Sequence, residues 1–78
     1  MMYTFKVSCA NNDDYFGPVC HNYATACFHA TNYMDDIVKN GAKVIGNMEN
    51  ILYPYDIVFK IDGIMKRLVV GKLDFNQL

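Results

Sequence analysis

The Asp62-Gly63 pair constrains the fold of this chain more than any other feature, because it stands between two strand-like segments. Residues 55–61 and 64–70 are rich in β-branched and aromatic residues, which favour strands. Asp-Gly between two such segments favours a two-residue turn of type I′, which also fixes which residues of the strands face each other. The sequence therefore predicts a long antiparallel hairpin over residues 55–70.

A strand and a helix are predicted before this hairpin. Residues 3–9 alternate apolar and polar side chains, as in a strand that buries one face. The polar residues 11–14 then indicate a loop. Apolar side chains recur at three- and four-residue spacing over residues 18–39, and Asn40-Gly41 is a typical helix end. We therefore expect one long helix over residues 18–39.

Two short segments complete the predicted fold. Residues 42–45 form one strand candidate and residues 51–53 another, which Pro54 interrupts. A chain of 78 residues is the size of a single domain, so we assign residues 1–78 to one domain. The expected class is α+β with the order β-α-β-β-β. One long helix then packs on one face of a curved antiparallel sheet.

Length, charge and cysteine content limit the function. A chain this short buries only about 60–65% of the surface that its unfolded form exposes, which leaves no room for an enclosed active site. The net charge of −1 and the pI of about 6.0 argue against a nucleic-acid partner. No segment has the ~20 apolar residues that span a bilayer. Three cysteines make a poor disulfide framework, so we expect free thiols and a cytoplasmic, reducing location.

The residues that most resemble a chemical site are Cys20, His21, Cys27 and His29. Neighbouring positions on a helix diverge by about 100°, so these thiols and imidazoles point to opposite sides. We therefore expect neither a Cys–His nucleophile nor a tetrahedral zinc site. Glycine-rich phosphate loops are also missing from the sequence. We therefore expect a non-enzymatic protein without a metal or cofactor.

The outer side of the predicted hairpin, away from the helix, is the first candidate binding surface. Apolar residues with a charged rim are expected there: Val58, Met65 and Val69, with Asp56, Lys60 and Arg67 around them. Such an arrangement is typical of interfaces, although scattered exposed apolar residues are also normal. The same surface would serve for self-association, so a homodimer through the outer face of the 55–70 hairpin is a second possibility.

Aromatic and acidic residues beside the helix form the second candidate surface. Tyr15, Phe28 and Tyr33 fall in the loop or off the main apolar stripe of the helix, and Asp35 and Asp36 follow closely. Aromatic anchors with neighbouring carboxylates suit contact with a basic protein surface. The alternative is that the rings of Tyr15 and Phe16 fold back and seal one end of the core, which the pattern favours more for Phe16.

We therefore expect a small protein-binding module that acts as a stoichiometric inhibitor or modulator of a larger protein complex. Its residue usage is common where coding DNA is AT-rich, as in phages, many low-GC bacteria and other sources. Phage and mobile-element accessory proteins include anti-CRISPR and other anti-defence inhibitors, a role this chain would suit; it would then work in the host cytoplasm. A nucleic-acid contact through the outer face is the alternative, with these residues: Lys43, Lys60, Arg67 and Lys72, and Tyr53 or Tyr55 for stacking.

Overall fold

A computed structural model of the protein describes residues 1–10, 12–48 and 55–73, which form one helix and a five-stranded antiparallel sheet. The elements in chain order are β1 (Tyr3–Cys9), β2 (Asn12–Phe16), α1 (Tyr23–Lys39), β3 (Lys43–Asn47), β4 (Asp56–Ile61) and β5 (Ile64–Lys72). The predicted α+β class is confirmed, as is its order of a strand, a helix and three strands. The helix packs on the sheet, and β2 adds a strand before it.

The β4–β5 hairpin has the register that the Asp-Gly turn predicts. Asp62 and Gly63 both adopt left-handed backbone conformations, with φ angles of 53° and 78°, as a type I′ turn requires. Ile61 lies opposite Ile64, and the pairing continues without interruption to the far end of β4. The sheet order is β2-β1-β5-β4-β3, which places this hairpin beside β1. The predicted strand over residues 51–53 lies outside the described residues.

The expected loop over residues 11–14 is wrong where the structure describes it, because β2 begins at Asn12. The chain reverses after β1 through Ala10, whose φ angle is 55°, and β2 then pairs antiparallel with β1. Val7 lies opposite Tyr15, so the ring of Tyr15 reaches the helix side of the sheet. The backbone hydrogen bonds of this pairing outweigh the weak strand preference of Asn and Asp.

The helix begins at Tyr23 and not at residue 18, because the chain before it stays extended. Tyr3 and Cys20 exchange two backbone hydrogen bonds, of 2.8 and 2.7 Å, which fix Cys20 against the start of β1. Asn22 then caps the helix, since its side-chain oxygen accepts a hydrogen bond from the Thr25 N–H at 2.8 Å. The predicted end is confirmed, with Lys39 as the last helical residue.

The core lies between α1 and the face of the sheet that we call the helix side. The helix contributes Ala26, Ala30 and Met34 to this core. The two alanines are small, so the helix can approach the sheet closely. The sheet contributes larger buried side chains: Phe5, Val7, Phe59, Leu68 and Val70. The helix packs mainly on β1 and β5, so β3 extends beyond it.

A buried hydroxyl in this core is not satisfied. The oxygen of Tyr23 is buried and has no hydrogen-bond partner among the described residues; Cys27 and the Tyr55 backbone lie near it without completing a bond of good geometry. Burial disfavours the charged phenolate and raises the pKa of Tyr23 from 10.0 to about 12, with a smaller contribution from Cys27. Burial also raises the pKa of the Cys27 thiol.

Tyr23→Phe is expected to raise the free energy of unfolding by about 1 kcal/mol near neutral pH, because it removes a buried hydroxyl without a partner. The unfolded chain loses the Tyr23 proton near pH 10.0 and the folded chain only near pH 12, so native stability falls as the pH rises through that window. Tyr23→Phe should not show this part of the loss of stability, because phenylalanine has no hydroxyl to ionise. Urea unfolding at neutral pH and within the window measures both effects. Tyr15→Phe, at a half-exposed position, is the control, and a destabilised Tyr23→Phe protein would contradict the expectation.

Candidate protein-binding surfaces

The residues predicted to bind a partner lie on two opposite sides of the sheet. By their cross-strand pairing, Val58, Lys60, Met65 and Arg67 lie on the outer face, which is the side away from the helix. The other five belong to the helix side or to the helix itself: Tyr15, Phe28, Tyr33, Asp35 and Asp36. The structure therefore brings together the first set and separates it from the second.

The outer face has a shallow depression of about 190 Å³ near the hairpin. Its lining comes from three strands and the turn after β1: Ser8, Ala10, Val58, Met65, Lys66 and Arg67. Val58 lies opposite Arg67 on neighbouring strands, and Met65 is 47% exposed. A partner side chain of moderate size would thus meet an apolar floor with a basic border.

Two further outer-face residues that we expected to be exposed are buried. Val69 is only 5% exposed and Asp56 is 0% exposed. Thr4, which belongs to the same end of the outer face, is also buried, and its hydroxyl oxygen lies 2.9 Å from the carbonyl oxygens of both Gly17 and Pro18, which share its hydrogen. The accessible part of the outer face is therefore its half near the hairpin turn.

Arg67 is held in place by the buried Asp56 carboxylate. Its Nε donates to Oδ1 of Asp56 at 2.8 Å, and its Nη2 donates to Oδ2 at 2.5 Å. Asp56 has no exposed side-chain surface, whereas 48% of the Arg67 side chain remains exposed. A two-pronged pair of this kind is geometrically specific, so Arg67 presents its exposed half to the depression in a fixed orientation.

The accessible part of the outer face is basic. Lys43 on β3 lies opposite Lys60 on β4, and Lys60 lies opposite Met65 on β5. Within the described part of the chain, no acidic side chain pairs with Lys43 or Lys60. Like charges directly opposite each other on neighbouring strands destabilise a sheet. A carboxylate-bearing partner would remove this repulsion.

The aromatic residues of the helix side are partly committed to the core. Tyr15 stacks on Tyr33 with ring centroids 5.3 Å apart and an interplanar angle of 17°, and both rings contact Phe5. This arrangement fits the alternative that Tyr15 seals the core, although its side chain is still 48% exposed. Stacked rings on a buried Phe stabilise the domain whether or not a partner covers them.

Phe28 and the two aspartates do not join the tyrosines in one surface. Phe28 is 62% exposed and contacts only the ring of His29 among the aromatic residues that the structure describes. At about 100° per residue, Asp35 shares the flank of Phe28, whereas Asp36 lies nearer the flank of Tyr33. The helix therefore carries two small, separate groups, each with one ring and one acid.

The tyrosine described here that the nucleic-acid hypothesis uses for base stacking does not lie on the outer face. The Tyr55 hydroxyl lies 2.9 Å from the Thr31 hydroxyl, which places this ring on the helix side. Lys72 lies opposite Tyr3, whose ring packs against the core, so it also belongs to the helix side. Tyr53 lies outside the described residues. Only Lys43, Lys60 and Arg67 of that hypothesis share the outer face.

An apolar surface at the edge of the sheet was not predicted from the sequence. The Ala42 N–H donates to the Ile37 carbonyl at 2.9 Å, so the end of the helix lies beside the start of β3. Four side chains at this end are 45–53% exposed, and we call them the edge patch: Val38, Val44, Ile45 and Ile64. We missed the patch because we expected the helix to cover the whole helix side, and it leaves β3 uncovered.

Comparison of the chain with protein-family models, curated proteins and solved structures finds no significant match. None of the helical residues described forms a segment long and apolar enough to cross a membrane. Among the side chains that the structure describes, no three from His, Cys, Asp or Glu lie close enough together to hold a metal ion. The functional argument therefore depends on the surfaces described above.

Proposed function

We propose that this protein is a non-enzymatic protein-binding module and that its outer face binds an acidic, partly apolar surface of a larger protein. The observation that carries the proposal is the depression floored by Val58 and Met65. Lys43 and Lys60 lie opposite each other on the same face, and neither pairs with an acidic side chain among the described residues. By occupying such a surface, the protein acts as a stoichiometric inhibitor or modulator. Residue usage alone supports the narrower role of a phage-encoded anti-defence inhibitor.

The shape and chemistry of the outer face favour a protein over a nucleic acid. Non-specific nucleic-acid binding takes most of its affinity from many phosphate contacts, and single strands add stacking on aromatic rings. The accessible half of the outer face offers the basic residues Lys43, Lys60 and Arg67, and Arg67 is already paired with Asp56. An apolar floor with a polar rim is instead the usual composition of a protein interface.

The charges of the outer face also favour a different protein over a second copy of this one. In a two-fold contact the same surface of each copy meets the other. Such a contact would bring Lys43, Lys60 and Arg67 of both copies together and concentrate positive charge. An acidic partner avoids this repulsion and neutralises the lysines.

The test is capture of partners from nuclease-treated lysate of the source cells with three tagged variants. Met65→Asp and Lys60→Glu are each expected to reduce recovery of the partner at least about tenfold, since one removes the apolar floor and the other reverses a rim charge. Phe28→Asp, an exposed position on the helix, is expected to leave recovery unchanged. All three positions are exposed, so circular dichroism should show a native fold in each variant.

The opposite pattern would refute the proposal. Loss of the partner in Phe28→Asp with full recovery in Met65→Asp would assign binding to the helix side. A ligand that disappears on nuclease treatment, and whose affinity falls steeply with added salt, would favour the nucleic-acid alternative.

A further inference from the structure

We infer that the partner of the outer face presents an acidic amphipathic helix, which lies across the strands with two of its acidic side chains on Lys60 and Lys43. This rests on the proposed function and narrows it, because it names the kind of element that the outer face binds. Two neighbouring rows of outer-face residues carry the inference, and the pairing of the strands determines both rows.

The first row holds the apolar and basic side chains. Met65 on β5 lies opposite Lys60 on β4, Lys60 lies opposite Lys43 on β3, and all three are exposed. Residues directly opposite each other on neighbouring strands have Cβ atoms about 4.5–5.5 Å apart. The two lysines therefore stand side by side at a spacing that the sheet holds fixed, and neither pairs with an acidic side chain among the described residues.

The second row is lower than the first. It crosses four neighbouring strands through these residues: Ser8 on β1, Arg67 on β5, Val58 on β4 and Gly46 on β3. No atom lies within 4 Å of a Cβ added at Gly46, so this end of the row is open. The Arg67 side chain bonds Asp56, two residues before Val58, and so leans away from the lysines. The second row is thus a shallow trough, and the first row is its wall.

The trough has the dimensions of a helix. Its outermost strands are about 14 Å apart, which is close to the length of a helix of about ten residues. On β4, Lys60 and Asp56 are separated by four residue steps, or about 14 Å. A helix about 10–12 Å across therefore fits between the wall of lysines and the Arg67–Asp56 pair.

The spacing of the two lysines favours a helix over an extended segment. Side chains at positions i and i+4 of a helix are about 5–6 Å apart, which matches residues opposite each other on neighbouring strands. Side chains on one face of an extended segment are about 6.6–6.8 Å apart, which matches less well. A helix with acids at i and i+4 places one carboxylate on each lysine, and apolar residues about 100° around the helix then reach Val58 and the open space at Gly46.

The test uses a synthetic alanine-based peptide of about 15 residues, a length at which isolated helices begin to form in water. The peptide carries glutamates at positions i and i+4, each followed by a leucine. Titration of the full chain with this peptide, followed by NMR, is expected to give a dissociation constant between ~10 µM and ~1 mM. A second peptide, in which proline replaces one central alanine and breaks the helix, is expected to bind at least about tenfold more weakly.

Variants of the chain test the contact with both lysines. Lys43→Glu and Lys60→Glu are each expected to weaken binding of the helical peptide at least about tenfold. Each change replaces two like charges opposite each other by an opposite pair, so the sheet should not be destabilised. Lys72→Glu, which reverses an exposed lysine on the helix side, is the matched control and should leave the affinity unchanged. The variant with both Lys43→Glu and Lys60→Glu should bind a peptide in which lysines replace the two glutamates.

Any of three results would overturn the inference: no binding of the helical peptide at millimolar concentration, equal binding of the peptide with proline, or native affinity in Lys43→Glu. Lys43 does not line the depression, so it separates this inference from the proposed function. If Met65→Asp and Lys60→Glu lose the captured partner and Lys43→Glu retains it, the outer face binds its partner without a helix on both lysines. If none of the three loses the partner, the proposed function itself fails.

Discussion

Replacing Arg67 by methionine is expected to lower the free energy of unfolding by about 3–5 kcal/mol, although half of this side chain is exposed. The reason is its partner. Asp56 is 0% exposed, and its two carboxylate oxygens accept hydrogen bonds from Arg67 at 2.8 and 2.5 Å. Without Arg67, a buried carboxylate keeps neither its counter-charge nor these hydrogen bonds, and removal of one partner from a buried pair is strongly destabilising.

The two members of the pair should differ in their effects. Asp56→Asn removes the charge that pairs with Arg67, but 48% of the arginine side chain is already exposed to water. The free energy of unfolding should therefore fall less in Asp56→Asn than in Arg67→Met. The double variant with Asp56→Asn and Arg67→Met should recover part of the stability that Arg67→Met loses, because no uncompensated charge remains in the sheet.

Urea unfolding of the three proteins, with Lys60→Met as a control, measures this asymmetry. Lys60 is an exposed base on the same face with no acidic partner among the described residues, so its replacement should change stability by less than about 0.5 kcal/mol. Equal losses in Arg67→Met and Asp56→Asn would contradict the account, as would a loss in Arg67→Met no larger than that in Lys60→Met.

The role of Arg67 in stability also decides how the outer face should be tested. We predicted Arg67 as a partner-binding residue, and its exposed half does border the depression. A variant at this position would nevertheless disturb Asp56 and the sheet together with any partner contact. Lys60 and Met65 are the better probes, because both are exposed and neither pairs with Asp56.

The hairpin and the helix end were predictable because their signals are local. Asp62 and Gly63 determine their turn through their own backbone preferences, and the turn then sets every pair of β4 and β5. The start of the helix was not predictable in this way. Cys20 fits the apolar spacing of the helix. It lies outside the helix because its backbone is hydrogen-bonded to Tyr3, which is remote in sequence.

The candidate surfaces show the same limit. Alternation along the hairpin correctly grouped Val58, Lys60, Met65 and Arg67 on one face, since side chains on a strand alternate between its faces. Local pattern does not show which positions on that face are covered, so the burial of Asp56 was missed. The opposition of Lys43 and Lys60 depends on the register of β3 against β4, which no short turn fixes.

A contact between Gly17 and Phe5 was also not predictable from the sequence, in which Gly17 directly precedes the helix predicted over residues 18–39. The Gly17 N–H donates to the Phe5 carbonyl at 2.8 Å, and the backbone of Gly17 lies against the Phe5 ring. A Cβ atom at Gly17 would overlap three atoms of that ring. Phe5 is only 2% exposed and belongs to the core, so its ring has little space into which it can move.

Gly17→Ala is therefore expected to lower the free energy of unfolding by about 1–3 kcal/mol, through overpacking against Phe5. Gly46→Ala is the matched control. Gly46 lies in a strand, has no positive φ angle and has no atom within 4 Å of an added Cβ, so its replacement should be neutral or stabilising by up to about 1 kcal/mol. Thermal and urea unfolding of both variants gives the comparison. If Gly17→Ala and Gly46→Ala were equally stable, the Phe5 ring would be able to move away from residue 17. The close contact would then not explain why glycine is needed at this position.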